Sequence, residues 1–525
     1  MAPGQREFVI ADAAGAGSDV LRALTAADED SLGWANGGAV RSRRCTWLDT
    51  FDWRLYRAGL TLEQVASGSQ AELVLTGRDG AIVASERLPA DCRPSWPSLA
   101  AELPAGPVQA ALEPITGLRA LTPVARGVSK VAELQALNSD KKTIARLAVD
   151  RVAMTFPARV SLPARLTLVP VRGYQAQADR VGRAIGGLPG IDAGRDSVLE
   201  AALVAAGCRP GEVPGKASGI QLVPGMPAAR ALSQILTALL DAMEANLPGT
   251  LRDIDTEFLH DLRVAVRWTR SALKLCGDAL PGGLASQYGP EFRWLGDLTT
   301  PTRDLDVFLL GYPAMADALV AAEPEELIPF RDHLARSRAA AFRRLTAGLR
   351  SARFARLRTS WRAALAADMR AVRRPTVAQL AETKITAAHR KALLTGRRIT
   401  PASPPQSLHD LRKRCKELRY LVEMFGSLHD PAQRWQAVRE LKALQDCLGE
   451  FQDAEVQHAE IRAFAAQMME QRAAPAETLL AMGEIAASLA VAQAAARAQF
   501  DGRFSDFAGP ASRRRMAALA RTAAA

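Results

Sequence analysis

The sequence predicts an α+β N-terminal domain followed by an all-α bundle made of two related halves with two-fold pseudo-symmetry. Three observations predict it. The apolar pattern changes from short alternating runs to a 3.6-residue period, a Gly/Pro-rich stretch lies between the two regimes, and two helical segments repeat at one constant offset. A chain of 525 residues exceeds what one core can hold; at about 150 residues per domain, two to four units are expected.

Between residues 5 and 206, the runs AELVLTG, IARLAVDRVAM and ARLTLVPV alternate with turn residues and read as strands. Segments near 17–27, 128–137 and 174–186 read as helices. Residues 207–227, GCRPGEVPGKASGIQLVPGMP between Gly207 and Pro227, break both helix and ladder and read as a linker. Residues 228–505 are rich in Ala, Leu and Arg with few β-branched runs, the pattern of a helical bundle. The basic, Ala-rich tail 506–525 reads as a short helix or an irregular end.

Cys45, Cys92, Cys208, Cys276, Cys415 and Cys447 lie far apart with no CxxC pair, which argues against a disulfide framework or a zinc site. No apolar run reads as long enough to cross a bilayer, and the start lacks the basic head and apolar stretch of a secretion signal. A cytoplasmic protein with no membrane partner is the expectation. The net charge of +11 is unevenly placed: residues 1–215 carry 24 basic and 23 acidic side chains, residues 216–525 carry 43 and 33. An anionic partner is therefore expected at the C-terminal half.

The repeat shows where. LHDLRVAVRWTRSAL from Leu259 and LHDLRKRCKELRYLV from Leu408 match at an offset of 149 positions. The same offset pairs Arg293 with Lys442, Leu295 with Leu444, Asp304 with Asp453, Asp306 with Glu455 and Val307 with Val456, without a gap. His260, Arg263, Arg267, Arg270 and Lys274 advance in steps of three and four, so they share one helix face. In the second copy His409, Arg412, Lys416 and Arg419 do the same. Leu262, Val266, Thr269 and Leu273, and then Leu411, Cys415, Leu418 and Val422, form the opposite, core-facing sides. Like charges at i, i+4 repel by a few tenths of a kcal/mol per pair, and an extended polyanion along such a stripe removes that repulsion. A solvated face or acid-paired arginines would explain one stripe; two copies with the same His-led spacing favour anion binding. Asp304, Asp306, Asp453 and Glu455 read as capping or arginine-orienting acids, not as a metal site.

These motifs, with FRWLGDLTTPTRDLDVF and LKALQDCLGEFQDAEV, resemble the CHAD (conserved histidine α-helical) domain over about residues 228–505. The resemblance implies two helical halves around a basic cavity that binds inorganic polyphosphate. It places the contacts at His260, Arg263, Arg267, Arg270, Lys274, Arg293 and Arg303, and at His409, Arg412, Lys413, Lys416, Arg419 and Lys442. One departure is Trp268, where family members usually have another arginine.

WLDTFDWRLYRAGLTLE, Trp47 to Glu63, resembles the CYTH family of triphosphate tunnel enzymes, which implies an antiparallel β-barrel tunnel over residues 5–206. The family's chemistry needs basic residues for a triphosphate and glutamates for Mg²⁺ or Mn²⁺. Here Gln5, Glu7 and Val9 stand where E, E and K are expected, and Leu62-Glu63-Gln64-Val65 replaces LRxR. Thr76 replaces a lysine, and Arg146, Thr167 and Val169 replace acids, leaving Glu7 and Asp150. The expectation is a polyphosphate-binding, non-enzymatic protein without a cofactor, with Mg or Mn only if the first domain were active. Metal-dependent inorganic triphosphatase is the alternative. Nucleic acid is disfavoured, because the stripes lack interleaved aromatics for base stacking.

Overall fold

The computed structural model describes residues 6–10, 33–37, 39–89, 94–188, 190–194, 197–213, 220–367 and 375–522. The helix expected near 17–27, Gln5, Cys92 and positions 214–219 of the expected linker lie outside them. The chain divides into two compact units, Met1–Val213 and Pro214–Ala525.

The first unit is one antiparallel sheet. Its strands are β1 (Arg6–Ile10), β2 (Gly33–Asn36), β3 (Arg41–Thr50), β4 (Leu60–Ser67), β5 (Gln70–Gly77), β6 (Ile82–Leu88), β7 (Leu121–Leu137), β8 (Thr143–Phe156), β9 (Val160–Ser161), β10 (Ala164–Pro170) and β11 (Ile191–Ala193). The order is β11-β1-β10-β8-β7-β3-β4-β5-β6, with β2 on β7 and β9 on β8. No ladder joins β6 to β11 among the described residues, so the expected closed barrel is an open sheet. A three-residue β11 offers too short a ladder to close it.

Residues 128–137, expected as a helix, are the end of β7. VAELQAL favours a helix locally, but this strand pairs with β3, β8 and β2, and that pairing overrides propensity. The helix expected at 174–186 is found at Gln175–Gly186.

Helices cover the sheet because each strand alternates its side chains between two faces. One face packs Leu147, Val149, Leu166 and Leu168 against Ala178, Val181 and Ile185 of the Gln175–Gly186 helix. Further along, Leu62, Leu73 and Leu75 pack against Val108 and Leu112 of helix Pro107–Thr116. On the opposite face Cys45, Trp47, Val152 and Met154 pack against Leu199, Ala202 and Leu203 of helix Val198–Ala205.

The second unit is helical: α1 (Ala228–Leu251), α2 (Thr256–Cys276), α3 (Leu284–Asp317), α4 (Ile328–Leu349), α5 (Ala352–Ala366), α6 (Val377–Gly396), α7 (Pro405–Met424), α8 (Pro431–Glu470), α9 (Ala476–Ala508) and α10 (Pro510–Thr522). Shifted by 149 positions, Ala228 becomes Val377, Thr256 becomes Pro405, and the 3₁₀ turn Gly277–Ala279 becomes Gly426–Leu428, so each start coincides with the next copy's start. The duplication thus begins well before the two matching motifs. Its axis is visible in two reciprocal bonds: Ala228 N–H donates to Pro375 O at 3.0 Å and Val377 N–H donates to Met226 O at 2.8 Å, and each bond is the 149-shifted image of the other.

The buried stripes fall where the period places them. Leu262, Val266, Thr269 and Leu273, and Leu411, Cys415, Leu418 and Val422, are all buried. Asp255 starts α2 by accepting from the N–H groups of Glu257 and Phe258 at 2.9 and 3.1 Å. The halves share one core running from Leu232 and Leu262 to Leu411 and Leu444. A second core joins the far ends of α3 and α8 to α4 and α9, through Phe308, Phe330, Leu334, Ile461 and Met482.

Helix α9 corrects the reading that no run is long enough to cross a bilayer. By length and composition it qualifies, with mean hydropathy 1.6 over an 18-residue window of which 22% is buried. The run is built mainly of alanine and interrupted by Glu484, which hides it among ordinary bundle helices. It packs along α8. The tail forms α10, which packs on α6 and α8.

Candidate functional site

The two basic stripes meet. Lys274 Nζ on α2 donates to Glu417 Oε1 on α7 at 2.8 Å. Trp268 on α2 and Tyr420 on α7 have ring centroids 5.2 Å apart. Lys416 on α7 lies in the field of Arg267 on α2, and of Arg412 and Arg419 on its own helix. Burial and then these arginines push the Lys416 ammonium down to about 8, against a pull from Asp453. Trp268, the departure from the family pattern, is therefore a joint between the two stripe helices.

In the first half, Arg263 Nη1 donates to Thr299 Oγ1 at 3.1 Å and Thr300 Oγ1 at 2.8 Å, both neutral acceptors on α3. Burial holds its pKa down, with Asp304 opposing and Arg267 and Arg303 assisting. Arg303 donates to Thr256 O at 3.2 Å and stands 3.9 Å from Glu257. His260 beside it is held below its ordinary pKa by burial and by Arg303. Arg270 lies against Gly296, where a Cβ would collide with its guanidinium. Among the described residues Arg267, Arg270 and Arg293 make no ion pair.

The second half repeats the layout with different partners. His409 Nδ1 bonds to Gln452 Oε1, the residue that stands where the first half has Arg303. Arg412 pairs with Asp453 at 3.0 Å, and Arg419 with Glu423 at 3.0 Å. Arg419 also donates to Gln445 at 3.2 Å, the counterpart of Gly296. Lys413 and Lys442 sit in exposed pairs with Asp410 at 3.4 Å and Asp446 at 2.7 Å, which contribute little.

The acids considered for a metal are placed otherwise. Asp306 is buried and accepts from Arg338 Nε at 2.6 Å, while the same arginine forks onto Asp253 at 2.7 Å through both terminal nitrogens. Glu455 accepts from Gln452 at 3.3 Å. No cluster of three or more His, Cys, Asp or Glu suited to a metal occurs among the described residues. Arg338 is an internal clamp, and Arg353 pairs with Glu291 at 2.9 Å while lying 4.2 Å over the Trp294 ring.

In the sheet unit, cross-strand registers put Glu7, Thr167, Val169, Arg146, Asp150 and Glu63 on one face. Asp150 accepts from Arg43 at 2.8 Å and Ser129 at 2.6 Å, so its oxygens are engaged. Glu63 is half-buried, and desolvation raises its pKa. Arg41 and Arg43, on the same face, were not singled out from sequence; the alternation RSRRCTW was the available signal. Asp49 of the DT segment is structural. It accepts from the N–H groups of Thr50, Leu55 and Tyr56 at 2.7, 3.0 and 2.9 Å, and burial lifts its pKa to about 6.

With this geometry in view, the family model of the CHAD domain matches residues 234–462. Among solved structures, the CHAD domain of the plant Ricinus communis is similar at TM-score 0.44 and 23% identity, covering 58% of this chain and 96% of that one. PptA from Streptomyces chartreusis follows at TM-score 0.41 and 19% identity, covering 53% and 99%. A candidate adenylate cyclase from Bacillus halodurans gives TM-score 0.25 and 14% identity, covering 35% and 86%. A search of curated proteins finds no match.

Proposed function

From the premise that residues 234–462 form a CHAD domain, we propose that this chain binds inorganic polyphosphate along the seam between α2 and α7. The observation that carries the reading is Lys416, an ammonium crowded by three arginines. Removing these cations from water and from their own acids costs free energy, which a chain of phosphates offsets by charge-assisted hydrogen bonds. An extended anion fits because the cations repeat along two helix faces. Recruitment to cytoplasmic polyphosphate granules follows from the same reading.

The sheet unit is proposed to be catalytically silent. A divalent ion activating water needs several free, convergent oxygens. On that face Asp150 is engaged by Arg43 and Ser129, Glu133 stands 3.8 Å from Arg41, and desolvation raises the pKa of Glu63, which disfavours its charged, ligating form.

Equilibrium binding of long-chain polyphosphate to the intact protein, in competition with single- and double-stranded DNA at equal phosphate concentration, tests the binding reading. Polyphosphate retention against DNA is expected; displacement by DNA would refute it. Incubation with tripolyphosphate and Mn²⁺ tests the silent domain: steady phosphate release abolished by Glu7→Gln would establish the triphosphatase alternative.

A further inference from the structure

We infer that the two halves of the seam are unequal subsites, and that Glu423 is a resident competitor which holds the second half closed to short phosphate chains. The inference rests on the polyphosphate reading above and concerns which part of the seam a short chain can occupy.

Shifted by 149 positions, the stripe His260, Arg263, Arg267, Arg270, Lys274 becomes His409, Arg412, Lys416, Arg419, Glu423. Where the first copy ends its stripe on a cation, the second ends on a carboxylate. That carboxylate is not a surface acid. Its side chain is 29% exposed, it binds Arg419 at 3.0 Å, and it lies in the field of Arg434 and of Arg267 across the seam. Glu423 thus stands where a phosphate would stand, among cations of both halves. Burial raises its pKa even so, which marks a carboxylate that is incompletely compensated and open to replacement by a stronger anion.

A second exchange works in the same direction. Arg263 bonds only neutral threonine hydroxyls, whereas its counterpart Arg412 bonds the carboxylate of Asp453. Asp304, the first-half counterpart of Asp453, makes no ion pair with Arg263 within 4.0 Å. Arg263, Arg267 and Arg270 therefore meet an incoming anion without first giving up an acid. Arg412 and Arg419 must exchange one. A chain of a few phosphates can fill the first half, but it gains little by displacing Glu423 and Asp453 for one or two contacts. A long chain anchored on the first half presents its remaining phosphates to the second at high effective concentration, and the exchange becomes favourable. Length selection follows because Arg412 and Arg419 hold resident acids where their counterparts Arg263 and Arg270 hold none; in the first half the acid contacts fall on Lys274, with Glu417, and on Arg303, near Glu257.

The test uses the intact protein, tripolyphosphate and long-chain polyphosphate, with binding measured by calorimetry. Glu423→Gln keeps the shape and removes the competitor. It is expected to tighten tripolyphosphate about tenfold and the long chain about threefold, narrowing the length preference. Arg263→Ala is expected to weaken both ligands about tenfold, and Arg412→Ala to weaken the long chain more than the short one. Unchanged or weaker tripolyphosphate binding by Glu423→Gln, with wild type binding the long chain, would overturn the inference and leave the polyphosphate reading standing. Wild type failing to bind either ligand would remove both. Should Glu423→Gln lose its cooperative melting transition, Asp453→Asn decides: its acid is exposed, and about threefold tighter tripolyphosphate binding is expected, with no gain counting against the inference.

Discussion

Lys416→Met is a substitution that should separate binding from stability. In the folded protein Lys416 is pushed from 10.5 to about 8 by burial and by Arg412, Arg267 and Arg419. At about 1.4 kcal/mol for each tenfold change in ionisation, that displacement bounds the penalty of holding it charged at roughly 3 kcal/mol. The group is still partly solvated, so screening reduces the figure to about 1 kcal/mol. Methionine fills similar space without charge, and the variant should melt about 2 °C higher at pH 7. Below pH 8 the lysine is protonated in folded and unfolded chains and the folded state bears the whole penalty. Between pH 8 and 10.5 the folded lysine loses its proton first, so the wild type gains on the variant and the difference closes. Binding should move the opposite way. One lost charge-assisted contact costs about 1.5 kcal/mol, roughly tenfold in Kd, and the slope of log K against log salt should flatten by about 0.7. Differential scanning calorimetry and polyphosphate titration across salt measure both. A less stable variant with unchanged affinity would refute the reasoning, since Lys416 would then be packing and not ligand contact.

Two further outcomes follow from buried charge elsewhere. Arg338→Met strands the buried Asp306 carboxylate and frees Asp253. A loss of about 3 kcal/mol is expected by chemical denaturation, with part of it recovered by adding Asp306→Asn; no loss would show that the clamp is idle. His389 and His429 are both held down to about 4, by burial first and then by Arg513 and Arg434. Each binds its proton more readily unfolded, so stability should fall as pH drops from 6.5 towards 4. Replacing both with phenylalanine should flatten that fall in thermal melts, and an unchanged pH profile would discount them.

Much of the helical unit was legible because periodicity and repetition are local signals. The steps of three and four from His260 to Lys274 fixed a face, and burial of Leu262, Val266 and Thr269 confirms the other. The start of the duplication at Ala228 and Val377 was not legible. Those helices share few identities, and their relation lies in backbone geometry, in the paired bonds to Pro375 and Met226. The acid partners are a different case. The offset already set Glu423 against Lys274, but whether a glutamate faces solvent or an arginine is decided by packing. In the sheet unit, VAELQAL was misread because strand pairing is non-local. The position-by-position account of Glu7, Asp150 and Thr167 did locate one common face, since residues in register across strands share a side. Closure of the sheet was implied by resemblance alone, and the ladder does not form among the described residues.

The central claim is that the phosphate chain lies against Lys416, and proton linkage tests that directly. At pH 8 this ammonium is about half protonated in the free protein. A phosphate beside it drives the proton back on. Calorimetric titration of long-chain polyphosphate into the intact protein, repeated in buffers of differing ionisation enthalpy, counts the protons taken up. The account predicts uptake of about half a proton per seam at pH 8 and almost none at pH 6.5, with the pH 8 uptake lost in Lys416→Met. Tight binding with no proton uptake at pH 8 would contradict it.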